Sequence, residues 1–185
     1  MAELIYMPIQ SLDGYIADEQ GDFAWAAPGE EVHAFVNDLT RPIGTHLFGR
    51  RMYEVMSVWE RPGELPGMTE AMRDFAEIWK AAGKVVYSRT LDTVSTERTR
   101  LEREFDPEAV RALKESSERD LAIGGPDLAA SAFRAGLVDE LQIFIAPAIV
   151  GGGTRSLPPG VRRDLELVGE RRFDGGMAHL RYRVR

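Results

Sequence analysis

Leu121-Ala122-Ile123-Gly124-Gly125-Pro126-Asp127-Leu128 decides the fold class of this chain. A short apolar run, suited to a buried strand, meets two glycines and then a helix opened by proline. Glycines at a strand-to-helix junction let the main chain approach an anion closely. The helix N-terminus adds unpaired N–H groups at the positive end of its dipole. By itself the segment reads equally well as a tight turn without a ligand.

Working outward, strands and helices alternate. Glu3 to Gln10 reads as a first strand, followed by Ser11-Leu12-Asp13-Gly14-Tyr15-Ile16-Ala17 and a loop reaching about Pro28. Val32, Phe35, Val36 and Leu39 mark an amphipathic helix that stops near Pro42. His46 to Gly49 is a short strand, Arg50 to Trp59 a helix, and Met72, Phe75, Ala76 and Trp79 a further helical stripe closed by Gly83. Lys84 to Ser88 is a strand. The polar stretch between Leu91 and Phe105 has room for one or two short strands without clear ends. Asp106 and Pro107 then supply an N-cap and a first helical residue. Asp120 to Gly124 is the strand of the opening segment, Pro126 to Ala135 its helix and Gly136 the C′ residue. Val138 to Val150 is strand-like around Pro147, and Leu165 to Phe173 with Ala178 to Val184 forms a hairpin across Asp174-Gly175-Gly176. This order predicts one α/β domain over residues 1–185. It is a three-layer sandwich in which a mixed, mainly parallel sheet carries helices on both faces and antiparallel strands at its C-terminal end.

Composition narrows the function. The 185 residues are 44% hydrophobic, with no apolar run long enough to span a membrane and no leader pattern at the N-terminus. With no cysteine, disulfide and thiolate chemistry are excluded, which fits a cytoplasmic protein. His33, His46 and His179 are too scattered to predict a metal site. A net charge of −7 argues against nucleic-acid binding through overall charge.

Two more strand ends resemble the first in chemistry. Gly49-Arg50-Arg51-Met52-Tyr53-Glu54 places two arginines at a helix start, where the dipole disfavours cations unless an anion sits there. Ser88-Arg89-Thr90 sets two hydroxyls around a guanidinium, a combination that suits a phosphomonoester. In open α/β sheets, ligands gather outside the C-terminal ends of strands. Three anion-seeking junctions there fit a pyrophosphate plus a third phosphate, the pattern of NADP. Gly-x-Gly-x-x-Gly and the phosphate loop ending in Gly-Lys-Ser/Thr are both missing, so the site is of another type.

These residues carry a family resemblance. The set Ser11 to Ala17, Gly49 to Glu54, Val86-Tyr87-Ser88-Arg89-Thr90-Leu91, Ile123 to Leu128 and Gly136-Leu137-Val138-Asp139-Glu140-Leu141 resembles the dihydrofolate reductase-like superfamily. Within it, the chain is similar to bacterial proteins related to the C-terminal reductase domain of riboflavin-biosynthesis deaminase-reductases. The resemblance implies an NADPH-dependent reductase acting on a pteridine, pyrimidine or similar flat heterocycle, and a homodimer. The alternative is a non-catalytic NADP-binding or regulatory protein on the same fold; a stand-alone aminouracil reductase is a third reading.

By that resemblance, Ile123, Gly124, Gly125, Pro126, Asp127 and Leu128 would meet the cofactor pyrophosphate from one side, and Gly49, Arg50, Arg51 and Met52 from the other. Ser88, Arg89 and Thr90 would receive the 2′-phosphate, and the backbone of Ile9, Ile16 and Ala17 the nicotinamide carboxamide. The peptide between Gly124 and Gly125 would be cis. Met52 departs from the threonine usual in dihydrofolate reductases. The carboxylate that assists protonation has no unambiguous match: Asp13, in the loop over the nicotinamide, and Glu31 are the candidates, with Glu30 and Asp38 nearby. Trp25 is a candidate wall for the flat substrate.

Overall fold

The computed structural model describes residues 1–185. In chain order the elements are β1 (Leu4–Tyr6), β2 (Ile9–Gln10), β3 (Tyr15–Ala17), α1 (Glu30–Thr40), β4 (Thr45–Gly49), α2 (Arg50–Met56), α3 (Glu70–Ala81), β5 (Gly83–Tyr87), β6 (Thr99–Glu102), α4 (Pro107–Ser116), β7 (Leu121–Gly124), α5 (Pro126–Arg134), β8 (Glu140–Ile145), β9 (Thr154–Arg155), β10 (Leu165–Arg172) and β11 (Ala178–Val184). Nine strands form one sheet in the order β10-β11-β8-β1-β7-β4-β5-β6, with β2 pairing along β8; β3 and β9 make a separate ribbon. Pairing is parallel from β8 to β6 and antiparallel at β8–β11 and β11–β10. This is the expected mixed sheet.

Side chains alternate across each strand, so the sheet has two apolar faces. Leu4, Tyr6, Leu47, Leu121, Ile123 and Leu141 share one cluster with Val110 of α4 and Leu128, Ala132 and Phe133 of α5. On the other face, Phe144 and Phe173 pack under Val32 and Phe35 of α1, while Phe48 and Val86 pack under Tyr53 of α2. Helices therefore cover both faces. Asp106 caps α4 by accepting the Glu108 N–H at 2.9 Å, and Gly136 ends the chain's turn from α5 at φ 65°.

Several boundaries differ from the sequence reading. The first strand is two strands, because Met7-Pro8 interrupts it and Pro8 has no N–H to donate. Arg50 to Trp59 is α-helical only to Met56, then tightens into a 3₁₀ turn over Ser57–Glu60. The strand expected to run to Val150 stops at Ile145, two residues before Pro147. Between Leu91 and Phe105 there is one strand, β6. All peptide bonds are trans, including Gly124–Gly125, so the expected cis bond is not present; Gly125 instead adopts φ 94°.

Candidate active site at the C-terminal edge of the sheet

β7 and β4 are neighbours, with Phe48 opposite Gly124, and β5 lies next to β4 with Tyr87 opposite Gly49. All three predicted junctions thus meet at one sheet edge. The two helices leave it in opposite directions, α5 onto the face of Leu47 and Ile123 and α2 onto the face of Phe48 and Val86. The crevice between such helix starts is where α/β sheets bind ligands.

The helix starts touch each other. A Cβ on Gly124 would lie 2.8 Å from Phe48 Cδ1 and 3.1 Å from Met52 Cγ, and one on Gly49 would lie 4.0 Å from Leu128 Cβ. Gly124 is therefore required by packing, and Met52 fills the space beside it. No side chain caps α5, whose N-cap is Gly125, so its first N–H groups remain open for an anion. Asp127 adds a negative charge to that first turn. It also helps raise the pKa of Tyr6, although burial is the larger cause.

The cations are distributed unequally. Arg50 is engaged, donating from Nε to Glu54 at 2.7 Å and from Nη1 to Thr90 Oγ1 at 2.9 Å. Arg51 and Arg89 are exposed and make no hydrogen bond or ion pair within the chain. Ser88 is buried, and its hydroxyl accepts the N–H groups of Thr90 at 3.2 Å and Leu91 at 3.0 Å. It shapes the turn that presents Arg89. Arg103 was missed by the sequence reading: its Nη1 donates to the carbonyls of Leu91 at 2.6 Å and Ser88 at 3.2 Å, bracing the same turn. It lies just past β6, in the stretch whose strand ends had no local signal.

At the ends of β1 and β2, the loop holding Ile16 and Ala17 is fastened down. β3 pairs with β9, and a Cβ on Gly153 would fall 2.1 Å from the Ala17 carbonyl oxygen, so the Gly151-Gly152-Gly153 segment permits a close backbone approach. Asp13 accepts the Gly151 N–H at 2.8 Å and the Val150 N–H at 3.2 Å. Its carboxyl is held below the usual 3.8 by hydrogen bonding, first from the Ser11 side chain and then from those N–H groups. The Tyr6 hydroxyl donates to the Ser156 carbonyl at 2.8 Å, and the Ser156 hydroxyl to Gln10 Oε1. Ile9 and Trp25 both pack, partly buried, against the Val32–Phe144 cluster.

The acids of α1 are also occupied. Glu31 pairs with Arg171 at 3.0 Å and accepts from the Asp174 N–H at 3.4 Å, which ties α1 to the β10–β11 hairpin. Glu30 accepts the Ala71 N–H at 3.3 Å, and Asp38 is exposed. Sequence reasoning weighed His33 only as a metal ligand; it is hydrogen-bonded to Asn37 on the same helix. No group of three or more metal-ligating side chains converges, and no helix is long and apolar enough to cross a membrane.

Comparison with known proteins agrees with this architecture. An uncharacterized protein of Bacillus subtilis (strain 168), YyaP, is 26% identical over 177 residues, spanning 93% of this chain and 89% of that protein. A solved putative riboflavin biosynthesis protein from Shewanella sp. PV-4 superposes over 100% of this chain and 99% of its own, with a TM-score of 0.77 at 20% identity. The deaminase/5-amino-6-(5-phosphoribosylamino)uracil reductase of Thermotoga maritima superposes with a TM-score of 0.69 at 18% identity; the match covers all of this chain and 57% of that one. The description "RibD C-terminal domain" matches residues 2–179. The chain belongs to the RibD C-terminal domain family.

Proposed function

We propose that this protein is a cytoplasmic NADPH-dependent reductase that directs hydride onto an electron-poor double bond of a flat heterocycle, a pteridine or pyrimidine. The observation that carries this reading is the meeting of Gly49, Ser88-Arg89-Thr90 and Gly124-Gly125 at one sheet edge, with an uncapped α5 and two unengaged arginines facing solvent there. Bound NADPH supplies the hydride. The N–H groups of Asp127 and Leu128, with Arg51, would hold the pyrophosphate; Arg89, presented by the Ser88 turn, would hold the 2′-phosphate. The backbone of Ile9, Ile16 and Ala17 would orient the nicotinamide, and the clamp of Asp13 on Gly151 would keep that loop in place. The protein would act as a homodimer through the edge strand β10, which exposes Leu165, Leu167 and Val168.

A second reading, NADP binding without catalysis, is favoured by the engagement of both candidate carboxylates, Asp13 and Glu31. Tryptophan-fluorescence titration with NADPH, followed by NADPH oxidation at 340 nm with a panel of aminouracil and dihydropteridine acceptors, separates the readings. Saturable binding with turnover supports the reductase. Binding without turnover across the panel supports the non-catalytic protein, and no saturable binding contradicts both.

A further inference from the structure

A chain of polar side chains joins α1 to α3 and ends on a histidine ring. Arg41 donates to both oxygens of Asp74, at 3.2 and 2.8 Å. Asn37, 1% exposed, gives its Nδ2 protons to Asp74 Oδ2 and to the Ala71 carbonyl, both at 2.8 Å. With both donors committed, Asn37 Oδ1 is the atom left for His33 Nδ1, 3.2 Å away. An amide oxygen only accepts, so neutral His33 carries its proton on Nδ1 and presents a bare Nε2 lone pair.

That lone pair has no partner within the chain, and on this half-buried ring Nε2 reaches solvent. The ring is held edge-on by Trp59, with centroids 5.9 Å apart, and by Phe75 at 5.6 Å. Trp59 belongs to the turn that continues α2, and α1 and α2 cover the same face of the sheet. The buried Asn37 oxygen fixes the tautomer, and the acceptor this leaves bare beside an indole suits a flat molecule with an N–H on its rim.

We propose that His33 is a substrate-recognition residue: its Nε2 accepts a ring N–H from a planar heterocycle lying against Trp59. This rests on the reductase reading of the crevice between the starts of α2 and α5. The test uses the full chain and 5,6-diaminouracil with its 1-methyl and 3-methyl derivatives, read by tryptophan quenching without cofactor. The parent should bind saturably, and one of the two methylations should weaken binding by about fivefold to tenfold, the value of one hydrogen bond. His33→Phe should lose the same factor and the discrimination between the methyl isomers, while His33→Gln, which offers an oxygen acceptor, keeps part of both. Absent parent binding, or equal affinity for all three compounds, overturns the proposal without requiring any variant to fold. NADPH is titrated in parallel: NADPH binding that persists while the heterocycle result fails removes only the role of His33, whereas loss of NADPH binding in the wild type removes the reductase reading.

Discussion

Arg50, at the first position of α2, donates to the hydroxyl of Thr90, forty residues later and beyond β5, at 2.9 Å. This bond ties the Gly49 junction to the Ser88-Arg89-Thr90 turn. Both partners are exposed, so its contribution to stability is below about 1 kcal/mol. Thr90→Val should therefore leave the melting temperature nearly unchanged while weakening NADPH binding several-fold by loosening the turn. Thermal melts and fluorescence titration of the same preparation check both halves.

Gly124 and Gly125 are glycines for different reasons. Gly124→Ala drives a methyl to 2.8 Å from the buried ring of Phe48, an overpacking cost of about 1–3 kcal/mol. Gly125→Ala meets Met52 Cβ at an ordinary 3.5 Å but must hold φ 94°, which costs about 1–3 kcal/mol of backbone strain. Urea unfolding should show both losses. Phe48→Leu should relieve the first and leave the second intact.

The Asp13 clamp has a pH signature. Its carboxyl titrates below the ordinary 3.8 in the folded chain, through the Ser11 side chain and the backbone N–H groups of Gly151 and Val150. A depressed folded value gives stability that is complete above about pH 4, where the unfolded carboxyl is also ionised, and is lost as pH falls through the folded value. The difference in melting temperature between wild type and Asp13→Asn should be largest near neutrality and shrink toward pH 3. A constant difference would show that the clamp carries no charge effect.

His46 should govern a separate, milder acid range. Burial is the larger cause and the Lys84 charge the smaller in pushing its pKa from 6.5 down to about 4, and its Nε2 has no partner. The ring stacks on Phe48 with centroids 5.4 Å apart. The unfolded chain takes up this proton below pH 6.5 while the folded chain refuses it until about 4. Stability is thus full above 6.5 and falls between the two values, by at most about 1.4 kcal/mol per pH unit. His46→Leu should flatten the stability curve in that window. His179, also lowered to about 4 chiefly by burial, adds a similar slope that the variant retains.

What the sequence made legible follows from how local each signal is. The Leu121–Leu128 segment carries its strand, turn and helix in eight residues, so its place at the sheet edge could be read directly. Apolar periodicity likewise gave α1 and α3, and the Asp174-Gly175-Gly176 turn gave the β10–β11 hairpin. Boundaries failed where one residue's hydrogen-bonding deficit acts, at Pro8 and before Pro147. The partners of the candidate acids had no local signal either: Asp13 meets Gly151 across 138 residues, and Glu31 meets Arg171 across 140. Arg103 and the Arg41–Asp74–Asn37–His33 chain are of the same kind. Each becomes visible only when distant elements pack.

The central claim, an NADP site with its 2′-phosphate on the Ser88-Arg89-Thr90 turn, is tested most directly by dissociation constants for NADPH and NADH on wild type and Arg89→Ala. Arg89 is exposed and unengaged, so the substitution leaves the fold unchanged. The account predicts that wild type prefers NADPH and that Arg89→Ala loses about tenfold or more in NADPH affinity, the value of a charged hydrogen bond, while NADH affinity barely moves. Equal losses for both dinucleotides, or no preference in wild type, would contradict it.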